Sequence, residues 1–117
     1  MTIDPRLSRT IFAVTLVGTL IAALLPDADA PTLGGTDKLN HIAAFVTLSV
    51  LAAWAWPRVA LWRIAVAMSA FGAAIEGLQA LPVIARDAEW ADWYADTAAA
   101  AGALAIVMVL RRIRRRA

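Results

Sequence analysis

The chain has 117 residues, 62% of them hydrophobic and 17% charged, with a formal net charge of +2 and no cysteine. A soluble domain carries roughly 45–50% apolar and 25% charged residues, so the composition excludes an ordinary soluble domain and indicates one small membrane domain. Lack of cysteine excludes disulfides and thiol chemistry, and the basic excess does not mark a nucleic-acid binder, because five of the ten arginines crowd into the last seven residues behind an apolar run.

Arg6 and Arg9 precede the first apolar segment, residues 10–25. At 1.5 Å per residue it spans about 24 Å, against about 30 Å of hydrocarbon. Ala28-Asp29-Ala30 behind it resembles a signal-peptide cleavage site, but Pro31 would follow the cut, so a retained helix is expected. Residues 26–36 contain two prolines and the Gly34-Gly35 pair, which break the pattern. A second segment, 39–56, ends at the turn Pro57-Arg58. The third, 59–81, is about 35 Å long, enough to tilt or project. A polar loop, 82–89, leads to the fourth segment, 93–110. Small residues suggest close helix approach at Ser69, Ala73 and Gly77, and again from Ala98 to Gly102. The expected fold is an all-α bundle of four transmembrane helices with short connections. Its parts are a cytoplasmic segment 1–9, a membrane domain 10–110 and a cytoplasmic arginine-rich tail 111–117.

Charge predicts the orientation. The N-terminal segment, the second connection and the tail together hold nine Lys and Arg residues, whereas the first and third connections hold two, Lys38 and Arg86. Positive charge stays on the cytoplasmic side, which predicts an N-in/C-in topology. Trp54, Trp56 and Trp62 would mark the inner interface, and Trp90, Trp93 and Tyr94 the outer one.

In that topology the unusual polar residues meet at the outer face. Asp37, Lys38 and His41 open the second segment, Glu76 and Gln79 close the third, and Arg86, Asp92 and Asp96 lead into the fourth. Asp37 and His41 are i,i+4 and share a helix face, with Phe45 one turn deeper; Asp92 and Asp96 are again i,i+4. Glu76 and Gln79 are i,i+3, and Gly72 lies on the same face below Glu76. A charge at the centre of an apolar helix costs roughly 2.5–3.5 kcal/mol, less toward an interface, so such residues mark a site by default. Architectural roles compete with that reading. Asp37 suits an N-cap, and Asp92 and Asp96 suit the positive end of a helix dipole. Lys38 suits snorkelling to headgroups, and His41 suits a hydrogen-bonded core position. Glu76, the deepest charge, requires a partner, with Arg86 or His41 the natural one.

The set resembles the VanZ-like family of teicoplanin-resistance-type membrane proteins. The resemblance rests on Asp37-Lys38-Leu39-Asn40-His41 with Phe45, Glu76-Gly77-Leu78-Gln79, Arg86, and Asp92-Trp93-Tyr94-Ala95-Asp96-Thr97, in that order. It covers about residues 37–102; the first segment agrees only in being hydrophobic. Ala99 stands where the family often has a glycine, and the loop before Arg86 lacks one. The resemblance implies an integral protein of the bacterial cytoplasmic membrane, associated through its namesake with low-level resistance to a lipid-tailed glycopeptide.

Three functions compete. The first is an outward-facing ligand site of Asp37, Lys38, His41, Glu76, Gln79, Arg86, Asp92 and Asp96. It would take a lipid headgroup, a lipid-linked wall precursor or a glycopeptide-type amphiphile, with the Arg86 fork suited to phosphate or carboxylate. The second is an enzyme acting on a lipid-linked substrate. There His41, Glu76, Asp92 and Asp96 would supply acid, base or hard-metal ligands. No HExxH motif, nucleophile elbow or phosphate loop supports it, and no cofactor or resident metal is implied. The third is a polar lock that supports assembly with another envelope protein. Membrane lipids are expected neighbours, nucleic acid is not a partner, and a transport role would require a homodimer, since four short helices scarcely enclose a path.

Overall fold

The computed structural model describes residues 4–25, 37–81 and 90–116. They form four helices: α1 (Pro5–Leu24), α2 (Asp37–Ala55), α3 (Leu61–Gln79) and α4 (Trp90–Arg116). Among the described residues there is no strand. α1, α3 and α4 are long and apolar enough to cross a membrane, whereas the apolar part of α2, Leu39–Ala55, is shorter.

Two helices overrun the limits that hydropathy suggests. α1 starts at Pro5 rather than residue 10 because local chemistry favours a start there. The Asp4 carboxylate accepts from the Arg6 amide at 2.9 Å, and Pro5 occupies the first turn, where its missing N–H is no loss. α4 continues through the arginine tail to Arg116. Arginine is a good helix former, and basic side chains are favoured at the negative end of the helix dipole. Charge ends the apolar run there but not the helix.

Contacts between helix ends give an up-and-down order. At one end Arg9 Nε donates to Ala55 O at 3.3 Å and Arg111 Nη2 donates to Ala53 O at 2.8 Å. Thus the start of α1 and the end of α4 both cap open carbonyls in the last turn of α2. At the other end Gln79 Nε2 donates to Ala23 O at 2.8 Å, tying the end of α3 to the end of α1. A helix leaves its last four carbonyls without intrahelical partners, and hydrocarbon offers no water to satisfy them. Long polar side chains from neighbouring helices take over that role here.

α2 and α3 each touch all three other helices, while α1 and α4 do not touch one another. The cross-section is therefore a diamond, with α2 and α3 on its short diagonal. Inward residues follow helical spacing: Ser8, Phe12, Leu16, Leu20 and Ala23 on α1; Ile64, Met68, Gly72, Ile75 and Gln79 on α3; Asp92, Asp96, Ala100 and Leu104 on α4. Phe45, Leu48 and Ala52 of α2 complete the core. The outer surface is apolar too: Val14, Trp62, Val66 and Ile106 are each more than 60% exposed. A bundle apolar on both its inner and outer faces fits a lipid surrounding better than water.

Candidate functional site

The polar residues fall where the inward stripes of three helices rise one turn above the apolar core. His41 precedes the fully buried Phe45 by four residues, Asp96 precedes the buried Ala100 by four, and Glu76 follows Gly72 by four. That common register sets all three at one depth. His41 is 7% exposed, Glu76 2% and Asp96 0%. His41 Nδ1 lies 3.2 and 3.4 Å from the two Asp96 oxygens. Nδ1 donates in this pair when Asp96 is ionised and accepts when the carboxyl carries the proton. One ligand atom from each of His41, Glu76 and Asp96 lies within 4.8 Å of the others.

The floor of the cluster depends on glycine. A Cβ on Gly72 would stand 3.3 Å from Asp96 Oδ2, 3.4 Å from Phe45 Cζ and 3.4 Å from Trp93 Cδ1. The bare backbone lets α4 close on α3, as small residues do between membrane helices. Two hydrogen bonds hold that approach. Trp93 Nε1 donates to Ser69 O at 3.0 Å, and the Ser69 and Thr97 hydroxyls lie 3.0 Å apart.

Of the eight residues singled out in the sequence, His41, Glu76 and Asp96 come together. Gln79 is also buried at that end, but its amide is spent on Ala23 O, and its Oε1 accepts no bond among the described residues. Asp92 is buried in the first turn of α4, where a carboxylate meets the positive end of the helix dipole. Asp37 and Lys38 begin α2, with side chains outside the described atoms, and Arg86 lies outside the described residues.

The site also contains residues that the sequence singled out for other roles. Trp93 was expected at the outer interface beside Trp90 and Tyr94. Those two are 64% and 66% exposed, but Trp93 turns inward onto Ser69 and Gly72. Trp93 and Thr97 are i,i+4, so both face Ser69; that spacing was the available signal. The expected stripe of Ser69, Ala73 and Gly77 is displaced as well. Gly77 is exposed, with nothing within 4 Å of an added Cβ, and Gly72 is the point of close approach.

Chemically, the cluster offers an imidazole and two carboxylates in a nearly water-free setting. That suits proton transfer or hydrogen bonding to a polar headgroup. A hard cation is a further option, since two ligands at about 2.1 Å from a metal, set about 90–110° apart, lie about 3.0–3.4 Å from each other. The His41–Asp96 spacing falls within that interval. Comparisons with protein-family models, curated proteins and solved structures find no match to this chain.

Proposed function

We propose that this chain is a VanZ-like four-span protein of the bacterial cytoplasmic membrane, with both termini cytoplasmic and a polar site toward the outer leaflet. Its role is to bind the polar part of an amphiphile: a lipid headgroup, a lipid-linked wall precursor or a glycopeptide-type antibiotic, against which it contributes resistance. The carrying observation is the convergence of His41, Glu76 and Asp96 from three helices at one end of an apolar bundle. Ionisable groups are costly at that depth, so a cluster of them indicates a site. His41, 7% exposed, is its most accessible member. The four family-type motifs in order support the same reading, with Arg86 as the anion-binding fork.

Native mass spectrometry of the protein released from its own membrane tests this directly. Wild type should carry a co-purified amphiphile that Glu76→Gln and Arg86→Ala both lose while remaining folded. Bare protein in every case, with the variants unfolding more readily, would leave the cluster as a polar lock. A second reading, acid–base or metal-assisted chemistry on a lipid-linked substrate, draws on the same three converging donors. It would show in the same spectra as a bound divalent ion. Full cellular activity of His41→Ala in metal-free protein would rule it out.

Orientation has its own test, since the chain lacks cysteine. Gly34→Cys should react with an impermeant maleimide added to intact cells, and Ala117→Cys should react only after lysis. The reverse pattern would place the site on the cytoplasmic side.

A further inference from the structure

At the opposite end of the bundle, the turn after α2, the start of α3 and the end of α4 line a half-open cavity of about 330 Å³. Four of its lining residues are arginines: Arg58, Arg111, Arg112 and Arg115. No carboxylate lines it, and among the described residues none of the four forms an ion pair with one. Four like charges around one hollow repel one another, and the cost falls when an anion enters.

The surroundings favour a particular anion. Ala60 precedes α3 as its N-cap and offers no side-chain cap, and Ala60 and Leu61 line the cavity. The positive end of the α3 dipole therefore adds to the arginine field, although the Arg63 amide is already bonded to Ala60 O. Arg111 is already fixed by its bond to Ala53 O, which holds one wall in place. Every basic side chain present is arginine, whose planar fork pairs two phosphate oxygens at once. Trp62, beside the cavity at the start of α3, is 66% exposed, as an aromatic at the headgroup level is.

We infer that this cavity is a binding site for a phosphate group at the membrane surface, the phosphodiester of an anionic phospholipid headgroup. Arg58 and Arg112 grip it from opposite walls, and Arg115 closes the open side. The site is distinct from the His41–Glu76–Asp96 cluster, so either can fail without the other.

The test is native mass spectrometry of the full chain in detergent, titrated with phosphatidylglycerol, with phosphatidylcholine of the same acyl chains, and with inorganic phosphate. One saturable phosphatidylglycerol per chain is expected, with little phosphatidylcholine. Arg58→Gln/Arg112→Gln should weaken it roughly thirtyfold, the effect of removing two basic residues from headgroup contact. Arg114→Gln/Arg116→Gln removes equal charge from exposed residues that do not line the cavity; solvent screens their action on it, so affinity should change less than about threefold. These arginines except Arg111 are exposed, so circular dichroism should show all variants folded. Inorganic phosphate saturating the site at the lipid's concentration would keep the phosphate site and assign it to a soluble phosphate. Equal loss in both double variants, or equal binding of the two lipids, would overturn the inference in favour of diffuse attraction.

Discussion

Asp96→Ala is expected to destabilise the bundle by about 1–3 kcal/mol, the cost of leaving a buried hydrogen-bonding partner unsatisfied. Asp96 is fully buried, and its oxygens face His41 Nδ1 at 3.2 and 3.4 Å. The magnitude is diagnostic. An interhelical hydrogen bond in a membrane averages about 0.6 kcal/mol, because the separated helices also find partners. A loss near that figure would make the pair an ordinary polar contact. A loss in the larger range would mean that the pair organises α2 against α4. Reversible unfolding in mixed micelles, followed by circular dichroism, gives the number. Adding His41→Ala to Asp96→Ala should then cost little more, since residues in direct contact are not additive. Additive losses would show that the two side chains act separately.

The pair was legible in the sequence only as two half-patterns. His41 four residues before Phe45, and Asp96 four after Asp92, each place a polar group on an inward face, and helical periodicity fixes that much. Which helices adjoin is a tertiary matter, so the sequence did not pair Asp96 with His41, although its two oxygens lie 3.2 and 3.4 Å from His41 Nδ1. Helix limits failed where hydropathy is the wrong observable. The Asp4-Pro5 start of α1 is a capping effect, and the helical arginine tail of α4 is a propensity and dipole effect. The helix count and the apolar cores of the segments were readable, because nothing else accounts for four long apolar runs separated by proline and glycine. The inward bond of Trp93 was not legible for a different reason. An indole suits an interface or a buried hydrogen bond, and only the neighbouring Ser69 carbonyl decides which.

Gly72→Leu should cost about 3 kcal/mol, the upper part of the range for overpacking a filled core. A single added Cβ would already lie 3.3 Å from Asp96 Oδ2 and 3.4 Å from both Phe45 and Trp93. None of these neighbours yields easily. Phe45 and Asp96 are fully buried, and Trp93 is held by its bond to Ser69 O. The remaining leucine atoms could enter only by separating α3 from α4, which would move Asp96 away from His41. Gly77→Leu supplies the comparison, since Gly77 is on the same helix, is exposed, and has nothing within 4 Å of an added Cβ. It should change stability by less than about 0.5 kcal/mol, or raise it slightly through the better helix propensity of leucine. Equal damage from both substitutions would restore the Ser69-Ala73-Gly77 stripe as the packing face. Damage at Gly72 alone would locate the close approach beneath the polar cluster. Combining Gly72→Leu with Asp96→Ala should then cost clearly less than the two separate losses together, because each disrupts the same contact.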